Sequence, residues 1–185
     1  MALKSTIFKC ELQISDMNRA YYATHSLTVA RHPSETDERM MVRLLAFALN
    51  ASESLVLTKG LSTDDEPSLW QKSLTDEIEL WIDLGQIDEK RIRKASGRAR
   101  QVIIYTYNQR SAEVWWPQIK SKLDRFDNVS VVHICNDLSQ DLARLAQRSM
   151  QLQCTIQDDQ VFIGNDSQSI QLQLESRRNS AEENH

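Results

Sequence analysis

Five residues on four separate stretches of this 185-residue chain are of types that could together do chemistry: Glu38, Asp65, Glu66, Asp83 and Lys94. Hard divalent cations such as Mg²⁺ or Mn²⁺ take oxygen ligands from a few carboxylates and fill the rest of their shell with water and phosphate. A metal held this way generates hydroxide for phosphodiester cleavage, and a nearby lysine can stabilise the developing charge. The same residues fit a second arrangement, in which the acids are tied to Lys94 or Arg91 as a buried ionic network. Three of them also have a plain structural role. Glu38 shares a helix face with Met41, Val42 and Leu45, where a first-turn acid is favoured by the helix dipole. Asp65 and Glu66 precede Pro67 and can cap a short helix through Ser68, Leu69 and Trp70.

The elements that must position these side chains follow from periodicity. Ile78, Leu80, Ile82 and Leu84 alternate with Glu79, Trp81 and Asp83, the pattern of a strand with one face in a core and Asp83 near its end. Gly85 breaks the run, Asp88 is a good N-cap, and Ile92, Ala95 and Ala99 form the narrow apolar stripe of the helix that follows. The rest of that helix is basic, with Lys90, Arg91, Arg93, Lys94 and Arg98. Residues 101–107 are apolar enough for a strand covered on both faces, so strand, basic helix and buried strand make a parallel crossover unit.

Ahead of this block, 5–15 and 20–31 read as an antiparallel hairpin. Ser34, with Asp37 three residues on, is expected to cap a helix over 35–51 that is apolar almost all round and so the most buried of the fold. Leu55, Leu57 and Leu61 mark a further strand. Beyond the block come a helix over 111–126, a strand over 129–134 and a helix over 137–148. A three-stranded meander over 150–174 can share a sheet with the N-terminal hairpin. The expected organisation is one domain over 1–176 and a polar, disordered tail over 177–185.

Whole-chain quantities narrow the function classes. A formal net charge of −4 argues against a generally basic nucleic-acid-coating protein, so a phosphate contact must come from a local patch. The basic helix is that patch, and a protein partner is the other expected kind. Cys10, Cys135 and Cys154 are odd in number and widely spaced, which gives neither a disulfide framework nor a zinc spacing. With no signal-peptide pattern and no spanning run, a cytoplasmic location and no membrane partner are expected. Glycine-rich phosphate loops and the Gly-x-Ser-x-Gly elbow are absent.

Four stretches carry a family resemblance: Arg31-His32-Pro33-Ser34-Glu35-Thr36-Asp37-Glu38-Arg39-Met40-Met41, Asp65-Glu66-Pro67, Trp81-Ile82-Asp83-Leu84-Gly85, and Asp88 through Ala95. The chain resembles the YaeQ family of bacterial proteins over nearly its whole length. Members are similar to PD-(D/E)XK nucleases, which implies an α/β fold: a mixed central sheet flanked by helices, a restriction endonuclease-like core with an N-terminal hairpin and a C-terminal meander. Carried over, the resemblance makes Glu38 the acid of the first core helix, Asp65 or Glu66 the acid before the central hairpin, and Asp83 the acid of the second strand. All four become candidate ligands of Mg²⁺ or Mn²⁺. The lysine expected two residues after that acid is Gly85 here, and Lys94 on the following helix would replace it. The resemblance therefore implies a metal-dependent nuclease or nucleic-acid-processing protein. The alternative is a non-catalytic interaction module that keeps the fold.

Overall fold

The computed structural model describes residues 4–59 and 65–180. The expected continuation of a strand to Leu61, and the acid Asp64, lie outside these residues. Two long strands open the chain, β1 (Thr6–Asp16) and β2 (Tyr21–Arg31), paired antiparallel in unbroken register from Thr6 opposite Arg31 to Asp16 opposite Tyr21. Helix α1 (Asp37–Asn50) follows. Its N-cap is Thr36, not Ser34: the Thr36 hydroxyl accepts from the Arg39 N–H at 3.1 Å. Ser34 instead pairs with the His32 ring, and this leaves Glu35 outside the helix and buried. Thr36→Ala is expected to cost about 1 kcal/mol in a denaturant melt, and Ser34→Ala a few tenths at most.

Next come β3 (Leu55–Leu57), β4 (Leu69–Lys72) and β5 (Ile78–Leu84), each antiparallel to its neighbour. The short helix expected after Pro67 is strand β4. Leu69 lies opposite Ile82, and both are fully buried. Trp70 meets Trp81 edge-on at 6.3 Å, so cross-strand packing overrides the helix-start preference of the local sequence. Helix α2 (Glu89–Arg98), capped by Asp88 on the Arg91 N–H at 2.8 Å, passes directly into β6 (Ala99–Thr106), parallel to β5.

The helix expected over 111–126 is α3 (Gln109–Ile119) followed by a 3-10 segment over Lys120–Arg125, with Pro117 inside α3. After β7 (Val129–Ile134) the chain turns through Asn136 and Asp137, both at positive φ, into a short α4 (Leu138–Ala143) that ends well before Arg148. Strands β8 (Ser149–Gln157), β9 (Gln160–Gly164) and β10 (Ser169–Arg178) complete the chain. The boundary drawn at 176 falls inside β10. Arg178 donates to the carbonyls of Val129 and Phe126, and the Ser180 N–H donates to Ser130 Oγ at 3.1 Å.

One mixed ten-stranded sheet results, in the order β2-β1-β8-β9-β10-β7-β6-β5-β4-β3. The hairpin and the meander do share it, through the parallel pair β1 and β8. One face of every strand feeds a single core around α1, with Cys10, Leu69, Ile82, Ile134, Leu152 and Leu172 among the contributors. A sheet whose two ends both pack on one helix must curl around it. Met40 through Ala48 are all buried, as the nearly continuous apolar sequence requires, and each Leu or Phe among them contributes about 1.5–3 kcal/mol. On the outer face of β5, β6 and β7 a second core forms beneath α2 and α3, from Trp81, Ile92, Ile104, Trp115 and Val131.

Candidate functional site

Strand alternation decides where Asp83 points. Ile82 and Leu84 face α1 in the inner core, so Trp81 and Asp83 face the opposite way, toward α2. Asp88 starts α2 after the tight turn at Gly85, whose φ of 88° suits glycine. The first turn of α2 therefore sets Arg91 directly over Asp83. Arg91 Nε donates to Asp83 Oδ2 at 2.8 Å and Arg91 Nη2 to Oδ1 at 3.0 Å, a two-pronged pair. The Trp81 indole N–H also donates to Oδ2, at 2.9 Å. Asp83 is 3% exposed, and both of its oxygens are engaged by these donors.

Arg91 continues outward to the Glu66 carbonyl at 2.9 Å, so the turn before β4 is fastened to the same helix. One turn along, Lys94 Nζ meets Asp65 Oδ1 at 2.6 Å, and Arg98 donates to the Asp65 carbonyl at 2.8 Å. Asp65 is exposed; the hydrogen bond from Lys94 and its charge hold the carboxyl below its ordinary range. Arg91 and Arg98 also lie over the Trp81 ring, at 5.9 and 5.4 Å from its centroid.

Glu38 stands apart from this group. It belongs to the first turn of α1, on the inner side of the sheet, beside Ser139 and Asp137. Burial pushes its carboxyl up; the Ser139 hydroxyl works against that shift and the Asp137 charge adds to it. Ser139 Oγ is buried and, among the described residues, makes no contact that meets hydrogen-bond geometry. Asp65 and Lys94 thus meet, and Asp83 meets Arg91, which also donates to the Glu66 carbonyl, while Glu38 lies across the sheet. Among the described residues no three His, Cys, Asp or Glu side chains are grouped so as to hold a metal. Glu38, Asp65, Glu66 and Asp83 are thus not gathered into one such group.

Two further features, centred on Glu35 and Glu89, escaped the sequence reading. Glu35, 5% exposed, binds two guanidiniums, Arg39 through Oε2 at 2.5 Å and Arg43 through Oε1 at 2.6 Å. Arg43 is 0% exposed and also donates to the Ala30 carbonyl at 3.0 Å; burial pulls it below its ordinary range and Glu35 opposes that. Glu89 gathers Arg93 at 3.1 Å and Lys122 and Arg125 at 3.6 Å each, three cations on one carboxylate. His133 is buried with Nδ1 on Thr106 Oγ1 and Nε2 on Gln109 Oε1, both at 2.8 Å, which occupies both ring nitrogens. Burial raises the thiols of Cys10 and Cys154 to about 12 and that of Cys135 above its ordinary value, so none is a ready thiolate.

The exposed side of α2 is cationic. Lys90, Arg93 and Arg98 are exposed, and a cavity of about 350 Å³ is lined by Asp88, Lys90, Arg91 and Lys94. Among the described residues no helix is long and apolar enough to cross a membrane.

Comparison with known proteins places this architecture. The crystal structure of YaeQ protein from Xanthomonas axonopodis pv. citri superposes with a TM-score of 0.91 at 46% identity, over 94% of this chain and 98% of that one. YaeQ protein from Pseudomonas syringae gives 0.90 at 36% identity, over 96% and 98%. In sequence, the uncharacterized protein YaeQ of Escherichia coli (strain K12) is 44% identical over 174 residues, 94% of this chain and 96% of that protein. The family model described as YaeQ protein matches residues 1–174, and the chain belongs to the YaeQ family.

Proposed function

We propose that this chain is a non-catalytic binding module that presents the basic face of α2 to the phosphate backbone of a nucleic acid. The observation that carries this reading is the engagement of Asp83: its two oxygens take three hydrogen bonds from Arg91 and Trp81. A carboxylate so committed anchors a helix, and displacing a paired guanidinium in favour of a metal would leave that cation without its counter-charge. Lys94 is likewise turned to Asp65. On this reading the likeness to PD-(D/E)XK nucleases describes the scaffold around β5, α2 and β6, and the acids hold that scaffold together.

What supports a nucleic-acid partner is local charge. The α2 sequence carries Lys90, Arg91, Arg93, Lys94 and Arg98 against one acid of its own, Glu89; Arg91 and Lys94 are also paired with Asp83 and Asp65, and Lys122 and Arg125 add two cations beside Glu89. Backbone recognition of this kind needs no base contacts and weakens steeply with salt.

Fluorescence anisotropy with labelled single- and double-stranded oligonucleotides tests this. Lys90→Ala is expected to weaken binding similarly for all sequences and to lower the slope of log affinity against log salt by about 1. The oligonucleotide should remain uncut in Mg²⁺ or Mn²⁺. Metal-dependent cleavage that disappears in Asp83→Asn would overturn the proposal in favour of a nuclease, and a lack of binding at low salt would overturn it outright.

A further inference from the structure

The two edges of the sheet are built differently. At one end β3 is three residues long, a common way of blunting an edge. At the other, β2 is eleven residues long, has no bulge, and carries no Lys, Arg, Asp, Glu or Pro from Tyr21 to Ala30. Natural edge strands of that length are ordinarily protected by such residues or covered.

Backbone directions show what this edge offers. The Lys9 N–H donates to the Arg148 carbonyl and the Met17 N–H to the Ile156 carbonyl, so the odd-numbered residues of β1 turn toward β8. Its even-numbered residues therefore bond β2, where their partners are odd-numbered: Cys10 faces Leu27, Leu12 faces His25 and Ile14 faces Ala23. The N–H and C=O groups of Tyr22, Thr24, Ser26, Thr28 and Ala30 must then point off the sheet. The Ala30 carbonyl accepts from Arg43 Nη2, which closes that end. At the other end the hairpin turn begins at Ala20, with φ 52°. Between these stops, no strand among the described residues pairs with β2 on its outer side.

We infer that β2 is the docking edge for a second copy of this chain, pairing antiparallel about a two-fold axis at His25. That register sets Tyr22 opposite Thr28 of the second copy and Thr24 opposite its Ser26, so the four outward-facing residues other than Ala30 exchange main-chain hydrogen bonds. The edge is self-complementary in side chains as well. Hydroxyls face hydroxyls on the exposed surface, where Ser26 also donates to Glu11 of β1 at 2.6 Å, Ala23 faces Leu27 on the other, and no formal charge falls within the paired stretch of β2. A two-fold contact of this kind closes after two copies and joins two ten-stranded sheets into one. This inference is independent of the oligonucleotide reading, since α2 and β2 lie far apart in the strand order.

Sedimentation velocity of the full chain over a wide concentration range, with amide hydrogen exchange, tests it. The wild type should pass from monomer to dimer, with slowed exchange at Tyr22, Thr24, Ser26 and Thr28 in the dimer. Thr24→Pro removes one outward N–H without breaking the ladder to β1 and should abolish the dimer. Thr24→Lys keeps the backbone intact, sets two lysines diagonally across the axis, and should also give a monomer; it decides the matter where the proline variant is misfolded by circular dichroism. A wild type that is monomeric at every concentration, or a dimer that persists in Thr24→Lys, overturns the inference.

Discussion

Asp83→Asn is expected to destabilise the protein by about 3–5 kcal/mol, the cost of removing one partner from a buried ion pair. Asp83 is 3% exposed and the Arg91 side chain one-quarter exposed, so water reaches the stranded guanidinium only in part. An amide leaves one oxygen to satisfy donors that now use two, and places an NH₂ against the Arg91 or Trp81 N–H. For a chain of this length the loss corresponds to roughly 6–20 °C in melting temperature. Excess Mg²⁺ should move neither protein. The sign separates the two arrangements that these acids allow. Asp83 in a metal site among like charges would be relieved by neutralisation, so a variant as stable as wild type, with a metal-induced rise in melting temperature confined to wild type, would falsify the ionic-network reading.

Glu35→Gln should be at least as damaging, again about 3–5 kcal/mol or more, because the cation it strands is deeper. Arg43 is 0% exposed, and its Nε and Nη1 have no hydrogen-bond partner among the described residues. Glu35 is the carboxylate that offsets both Arg43 and Arg39. Arg43→Met removes the buried charge itself, keeps the Glu35 pair with Arg39, and fills much of the same volume. It should be far better tolerated than Glu35→Gln, since an apolar group of similar size avoids the desolvation cost. Urea melts of both variants check the order, and a Glu35→Gln protein more stable than Arg43→Met would contradict the assignment of Glu35 as the counter-ion of the core.

Much of this was legible in the sequence, and the gaps have physical causes. The alternation in β1, β5 and β8 reads directly as half-buried strand, and the unbroken apolar run of α1 as a helix enclosed by the fold. β4 was not legible, because Pro67 and the residues after it satisfy local helix-start rules; pairing of Leu69 with Ile82, a contact between distant positions, outweighs them. In the site, the nearness of Asp83, Arg91 and Lys94 follows from a strand end, a tight turn and one helix turn. Whether the carboxylate meets a guanidinium or a metal depends on side-chain direction, which residue spacing leaves open. The recurrence of Glu35, Arg39 and Arg43 every fourth residue was visible too, yet an ionic stripe ordinarily marks a solvent face, and here it is interior. Glu38 was assigned to the site by likeness of motif, and the parity of β5 sets it on the other side of the sheet.

The parallel pairing of β1 with β8 has a kinetic meaning. Lys9 lies opposite Ser149, and Leu12 opposite Leu152, so the first strand made finds its inner neighbour only after most of the chain has been synthesised. Until then the hairpin has no second strand on either side and α1 has no closed wall around it. Loop-closure entropy must be overcome before these contacts return any free energy, which makes folding slow for a domain of this size. During that interval the apolar residues Cys10, Leu12 and Ile14 stand open to other chains. Assembly from the ribosome is thus governed by its last fifth, and a truncation before β8 leaves the hairpin detached from the rest of the sheet and α1 covered only by β3 to β7.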